Sequence, residues 1–184
     1  AQQKFVSPSK YIFLLNYGVI YDDKEVLNHV ENTLDIILSS GLKDFVEGGF
    51  YRYTVDNEWK IPHFEKMLYD QAQLISLYSK AYKVFKKAEY KNVVTTTISF
   101  LKSEMYSDLG LFYAAMDADT DGEEGKYYSF DYNELIQISN ETDFNLFQSY
   151  FNLDPSNPWE NDKYLLLPIE NKNLSDWLID NNIN

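Results

Sequence analysis

Between His63 and about Phe85 the chain carries apolar residues at two helical offsets at once. Phe64, Met67, Leu68, Gln71, Ile75, Tyr78, Tyr82 and Phe85 fall on one broad face, and His63, Met67, Asp70, Leu74 and Leu77 on a second stripe. A helix that is apolar on most sides has to be enclosed by protein. The remaining sequence must therefore supply elements that surround it, and it offers more helices. SPSKYIFLLNY places Ser7 at an N-cap and Pro8 at the first helical position. Asp22 and Glu25 have capping-box spacing, and Leu27, Val30, Leu34 and Leu38 recur at helical intervals until Gly41 stops the run. Val94, Ile98, Leu101 and Met105 define another amphipathic face that ends near Asp108 and Gly110. A second capping box, Asp131 with Glu134, precedes ELIQI, and a further helix is expected after Thr142, through Phe151.

The connections between these helices read differently. In GGFYRYTVDNEWKIP, from Gly48 to Pro62, Phe50, Arg52 and Thr54 alternate with Tyr51, Tyr53 and Val55 before a polar turn at Asp56 and Asn57, which predicts a small β-excursion. LFYAAMD and KYYSF read as two short strands around the turn DADTDGEEG. The succession of helix, Gly, Phe-Tyr strand, acidic turn, aromatic and helix occurs at Phe50 and Tyr51 and again at Phe112 and Tyr113, an offset of 62 residues. DPSNPWENDKYLLLP reads as a third such connection, with Trp159 as its aromatic. A mainly α architecture of stacked antiparallel hairpins follows, with short β-excursions gathered at one rim, within a single domain spanning residues 1–184. Function is to be sought at that rim.

Charge and composition remove several classes of activity. Sixteen Lys and Arg face 29 Asp and Glu, a formal net charge of −13, so nucleic acid and anionic membrane surfaces are repelled. No window approaches the ~20 apolar residues of a membrane helix, and the first residues lack a secretory layout, which predicts a soluble, cytoplasmic protein. With no cysteine, disulfides, thiol catalysis and cysteine-ligated zinc are excluded. Aromatic residues make up 17%, a richness that suits both packed helices and sugar-binding clefts.

Two stretches carry residues able to do chemistry. DADTDGEEGKYYSF opens like a calcium loop, with Asp117, Asp119, Asp121 and Gly122 in register. Position twelve, however, is Tyr128, and the preceding residues alternate like a strand where an EF-hand needs a helix. A looser calcium site and a solvated acidic turn remain as readings of it. In RYTVDNEWKIPHFEKMLYDQAQ, His63 stands at the expected helix start and Asp70 lies on nearly the same face about two turns, ~10 Å, further on. Glu65 and Tyr69 form an i, i+4 pair on another face. Asp56 and Glu65 can serve as general acid or base if burial suppresses their ionisation. The competing reading is structural: a first-turn Glu65 favours the helix dipole, and a first-turn His often binds only its own loop.

GGFYRYTVDNEWKIPHFEKMLYDQAQL and FYAAMDADTDGEEGKYYSF resemble the two signature stretches of the thioredoxin-domain-containing proteins of the spermatogenesis-associated type. The leading KF and the later PWENDKYLLL extend the resemblance over residues 4 to 167. It implies a partial (α/α)6 toroid similar to N-acylglucosamine 2-epimerases and six-hairpin glycosidases, corresponding to the first part of that toroid. Family members place a thioredoxin-like domain before the toroid. That domain is expected to be absent here, and no redox activity is carried over to these residues. Matched to the signatures, the implied cleft residues are Arg52, Tyr53, Asp56, Trp59, His63, Glu65, Lys66, Tyr69 and Asp70, joined by Asp117, Asp119, Glu124 and Tyr128.

The expected function is a carbohydrate-binding or carbohydrate-converting cleft in which aromatics stack on sugar faces and Asp117, Asp119 or Glu124 pairs with His63 for proton transfer, with Asp70 and Glu65 as further acid/base groups. Arg52, Tyr53, Asp56, Trp59, Lys66, Tyr69 and Tyr128 are assigned to substrate binding. Glycosidase chemistry wants two carboxyls ~5–10 Å apart, and epimerase chemistry wants two acid/base groups on opposite sides of one carbon. No metal or cofactor is expected. The alternative is a non-catalytic scaffold whose polar groups brace the β-excursions against helix ends. Apolar flanks of the inner helices predict self-association.

Overall fold

The computed structural model describes residues 3–137, 141–151, 153–156, 158–160, 162–169, 174–181 and 183. They fall into two compact units, residues 1–118 and 119–184. In the first, helices α1 (Pro8–Ile20) and α2 (Lys24–Ser39) form one hairpin, and α3 (Leu68–Phe85) and α4 (Ala88–Glu104) form another, with α3 packed on α1, α2 and α4. The joining loops are short, as antiparallel neighbours require. Ser7 precedes α1 in a left-handed conformation and its side chain makes no cap. Asp23, one residue beyond the expected Asp22, caps α2 by accepting from the Val26 N–H at 3.1 Å. On α4 the buried face is Tyr90, Val93, Thr97, Phe100 and Leu101, so the expected stripe is rotated by about one residue and Ile98 is exposed.

The core of this unit is built around α3, as its two apolar stripes demand. Leu74, Leu77, Tyr78 and Ala81 meet Leu15 of α1, Val30, Leu34 and Ile37 of α2, and Tyr90 and Val93 of α4. Tyr78 stacks on Phe50 with centroids 5.8 Å apart and donates its hydroxyl to Leu34 O at 3.0 Å, so its one polar atom is satisfied inside the core.

The β-excursion between α2 and α3 is longer than the sequence predicts. β1 (Tyr53–Thr54) pairs antiparallel with β2 (Pro62–His63), and β3 (Lys66–Met67) leads directly into α3. His63 is therefore in a strand, α3 starts five residues later at Leu68, and the first-turn carboxylate is Asp70 and not Glu65. The reason is visible in burial, which alternates strictly. Pro62, Phe64 and Lys66 are buried, whereas His63, Glu65 and Met67 are half-buried. A period of two and a helical period coincide over so few residues, and the backbone pairing to β1 and β4 (Ala115–Met116) decides between them.

Gly41 does more than end a helix. A Cβ there would lie 1.8 Å from the carbonyl oxygen of Lys60, because the Gly41 N–H donates to Trp59 O at 2.8 Å and draws the two backbones together. Since the obstacle is backbone and not a flexible side chain, Gly41→Ala is expected to cost about 2–3 kcal/mol, read as a lowered denaturant midpoint.

In the second unit the acidic stretch is itself a hairpin. β5 (Asp119–Thr120) pairs with β6 (Glu123–Glu124) around Asp121 and Gly122, both at positive φ, 54° and 81°. That is the geometry a two-residue hairpin turn requires and Asp-Gly supplies. LFYAAMD and KYYSF thus do not pair with each other. Ala115–Met116 joins Lys66–Met67, Lys126–Tyr128 is a 3₁₀ turn, and β7 (Phe130–Asp131) pairs with β8 (Lys163–Tyr164). The second capping box forms as expected ahead of α5 (Tyr132–Gln137), the Glu134 carboxylate accepting from the Asp131 N–H. Ile138, the last residue of the expected ELIQI helix, lies outside the described residues, as do Asn157 and Asn161 of the third connection. Helix α6 (Glu141–Phe151) contributes Phe144 to a small core with Leu135, Leu153, Tyr164 and Leu166, and α7 (Leu174–Asp180) follows.

Candidate acid/base site at the start of the third helix

The non-helical run of residues 62–67, strand at Pro62–His63 and again at Lys66–Met67, creates a cluster that a helix would have dispersed. The alternating burial puts His63 and Glu65 on one side of this run, whereas on a helix residues two apart point in nearly opposite directions. His63 Nε2 lies 3.7 Å from Glu65 Oε2, and the same carboxylate oxygen accepts from Arg52 Nη1 at 2.8 Å. Across the ladder Tyr53 is the register partner of His63, and their rings stack at 4.8 Å. Phe5 continues the stack onto Tyr53 at 4.7 Å, held there by the antiparallel bridge between Lys4 and Thr54.

Asp70, in the first turn of α3, completes the group. Burial pushes its carboxyl up to about 6; the Arg52 charge opposes this and the Glu65 charge adds to it. Its Oδ2 and the Nε of Arg52 are buried without a hydrogen-bond partner. The Glu65 hydrogen bond holds the Arg52 guanidinium above its ordinary range against partial burial, with the Tyr69 phenol adding to the effect. A carboxyl that titrates near neutrality beside a fixed cation can give or take a proton.

Other expected site residues serve the scaffold. Asp56 was expected to be able to act as an acid or base once buried. Burial does push its carboxyl up, but the N–H groups of Ile61, Lys60 and Glu58 that it accepts more than offset this, and the net shift is downward. It therefore organises the turn between β1 and β2. Lys66, expected to bind substrate, is completely buried. Its Nζ donates to Asp44 Oδ2 at 2.6 Å and to Gly48 O at 3.0 Å and lies 4.2 Å from the Phe100 ring centroid. Trp59, at a positive φ of 63°, packs against the core with Lys4 Nζ 5.2 Å above its ring.

Asp117 is exposed in the first unit, and Asp119 and Glu124 are exposed as cross-strand partners within the second. Tyr128 is buried in the second unit, edge-on to Tyr127 at 5.1 Å. The Asp121 carboxylate is paired with Lys126 at 3.1 Å, and among the described residues no three His, Asp or Glu side chains converge to hold a metal ion.

Sequence reasoning did not single out two bracing residues. Gln71, read as one member of an apolar stripe, is fully buried and closes a pair of hydrogen bonds with the Phe50 backbone, accepting from its N–H at 2.9 Å and donating to its carbonyl at 2.6 Å. Asp44 accepts from the N–H groups of Val46 and Glu47 while it holds Lys66. A polar residue on an otherwise apolar helical face was the available signal for the first. The Asp before a Gly-Gly turn was the signal for the second.

No protein-family model matches the chain. It is 34% identical over 145 residues to spermatogenesis-associated protein 20 of Homo sapiens, an alignment that covers 73% of this chain and 18% of that protein. The Mus musculus protein of the same name matches to the same extent. An uncharacterised Caenorhabditis elegans protein is 30% identical over 172 residues, 83% of this chain and 24% of its own length. The chain thus spans about a fifth of the length of these relatives. Among solved structures, a sugar epimerase from a ruminal bacterium superposes with a TM-score of 0.57 at 19% identity, over 80% of this chain and 43% of that one. A family 76 glycoside hydrolase from a bovine Bacteroides thetaiotaomicron strain gives 0.54 at 17% identity, over 66% of this chain and 26% of that one. The fold is that of the epimerase and glycosidase helical toroids.

Proposed function

We propose that this chain, a homologue of the spermatogenesis-associated protein 20 group, carries part of a carbohydrate-binding or carbohydrate-converting site centred on Arg52, His63, Glu65 and Asp70. The observation that carries this reading is the half-buried Asp70 carboxyl, pushed up to about 6 and left with an unpaired oxygen beside Arg52. Such a group is costly unless a ligand uses it. Support of a second kind comes from the toroid fold, whose solved examples include a sugar epimerase and a glycoside hydrolase. A sugar hydroxyl that reached Arg52 Nε or Asp70 Oδ2 would satisfy a polar atom now left unpaired, and the exposed Tyr69 offers a ring face. Asp117, exposed in the same unit, remains a candidate for the substrate side of the site.

The test is calorimetric titration of neutral and N-acylated sugars into this chain and into a full-length relative, with mutarotation and hydrolysis assays on the latter. Binding that Arg52→Gln and Glu65→Gln each weaken at least tenfold is expected. Absence of binding by both proteins would remove the reading in favour of a non-catalytic scaffold, which the bracing roles of Asp56 and Lys66 already resemble.

A further inference from the structure

Phe50, in the loop before β1, directs both of its backbone polar groups at α3. Lys43 and Phe50 are bridge partners, and the bonds that make the bridge run between their neighbours. Asp44 N–H donates to Gly49 O at 3.1 Å and Tyr51 N–H to Leu42 O at 2.8 Å. Phe50 thus occupies a non-hydrogen-bonded position of the antiparallel pair, and its own N–H and C=O point away from the partner segment. Gln71 takes both, through Oε1 at 2.9 Å and Nε2 at 2.6 Å. One planar amide closing on both groups of one residue fixes distance and orientation together, and Gln71 is fully buried, so water does not compete for either bond.

The same clasp ties together two halves of the candidate site. Asp70 directly precedes Gln71 in the first turn of α3, and Arg52 follows Phe50 by two residues. The Phe50 ring is pinned to the same helix, stacked on Tyr78 about two turns beyond Gln71. A Cβ on Gly49 would come within 3.2 Å of Gln71 Oε1, so the loop meets α3 there as bare backbone. Asp70 and Arg52 carry opposite charges that act on each other. Asp70 Oδ2 and Arg52 Nε are nonetheless buried without a hydrogen-bond partner, and Arg52 Nη1 is bonded to Glu65 instead. Two such groups, free to move, would close on one another. We propose that Gln71 is a positioning residue whose clasp on Phe50 holds the Asp70 carboxyl out of an ion pair with Arg52. The proposal rests on Asp70 as the acid/base group of the carbohydrate reading and adds what keeps that group free for proton transfer.

The direction of the Asp70 titration distinguishes positioning from packing. Burial holds its carboxyl up at about 6, the Arg52 charge draws it down, and the Glu65 charge adds to burial. Direct pairing with the guanidinium would remove most of this rise, because it stabilises the charged form. An apolar side chain in place of Gln71, with nothing else moved, does the reverse, since a drier surrounding disfavours the charge.

Carboxyl-carbon NMR of Asp70 in this chain provides the test. Gln71→Met, close in volume but unable to clasp Phe50, should move the Asp70 midpoint from about 6 towards 3.8. In that background Arg52→Gln should raise the midpoint by more than it does in the parent, since it then breaks a formed ion pair. Ile37→Val, in the core on α2, should lower stability and leave the midpoint in place. Circular dichroism checks that the variants fold. If Gln71→Met unfolds, Gln71→Asn, whose shorter amide cannot reach both Phe50 groups, is expected to shift the midpoint the same way by less. Slow hydrogen exchange of the Phe50 N–H reads the clasp in the parent itself. A midpoint that stays or rises in the Gln71 variants, a fall accompanied by a smaller Arg52→Gln effect, or fast exchange at Phe50 would overturn the proposal. These measurements contain no sugar, so the clasp can fail with the carbohydrate reading standing, and absence of sugar binding removes that reading alone.

Discussion

Lys66→Ala is expected to destabilise the first unit by about 3–5 kcal/mol, measured as a fall in the denaturant midpoint with little change in slope. Lys66 is 0% exposed, and burial pushes its ammonium below the ordinary lysine range while Asp44 pulls it back up. Removing the cation leaves Asp44 Oδ2 buried without its partner and deprives the Gly48 carbonyl of a donor, in addition to the lost contact of the ammonium with the Tyr51 and Phe100 rings and the space left by a fully buried side chain. Lys66→Met keeps most of the packing, so it separates the two contributions and should still lose more than half as much. Combining Lys66→Met with Asp44→Asn should recover much of the loss. An uncharged pair of similar volume avoids the desolvation of two ions, and the Asn oxygen can still accept from the Val46 and Glu47 N–H groups. A loss below about 1 kcal/mol for Lys66→Ala would mean that water reaches this pair and that the brace is not a buried one.

The same brace marks where sequence reasoning stops. Helix positions were legible because their determinants are local: the capping box at Asp131 and Glu134, Pro8 opening α1, and Val30 and Leu34 facing the core of α2. Residues 62–67 were misread because their apolar members satisfy the helical period when joined to the real helix beyond them. Pro62–His63 pairs with β1 across a nearby turn, but the partner that makes Lys66–Met67 a strand, β4, comes from beyond α4. Asp44 and Lys66 are 22 residues apart, and no periodic pattern links them. The residue types at the site were nonetheless visible. Arg52, Tyr53, His63, Glu65, Tyr69 and Asp70 could all be listed from the sequence. Their geometry could not, since it depends on His63 and Glu65 lying on one side of a non-helical run and on Asp70, not Glu65, occupying the first turn of α3.

Asp70→Asn is expected to strengthen the fold at neutral pH while it removes sugar binding or lowers turnover in a full-length relative by ~10²–10⁴-fold. The stability half follows from proton linkage. The folded state raises the Asp70 carboxyl from its ordinary 3.8 to about 6, so the folded protein holds this proton more tightly than the unfolded chain does. Stability therefore falls as pH rises from about 4 to 6, and above that range the ionised carboxylate remains at a constant cost. Asparagine has no charge to bury, so the variant should exceed the parent by about 1 kcal/mol above pH 6, a figure kept small by the partial exposure of the site. The gap should close as the pH approaches about 4, where the parent carboxyl is protonated in both states. Carboxyl-carbon NMR across the same range reads the titration directly. Glu65→Gln should lower the Asp70 midpoint and Arg52→Gln should raise it, because the first removes a repelling charge and the second an attracting one. A midpoint near the ordinary aspartate value, with Asp70→Asn neutral or destabilising at neutral pH, would make Asp70 a conventional first-turn carboxylate that stabilises the N-terminus of α3. Its burial would then carry no chemical meaning, and the site would lose its acid/base group.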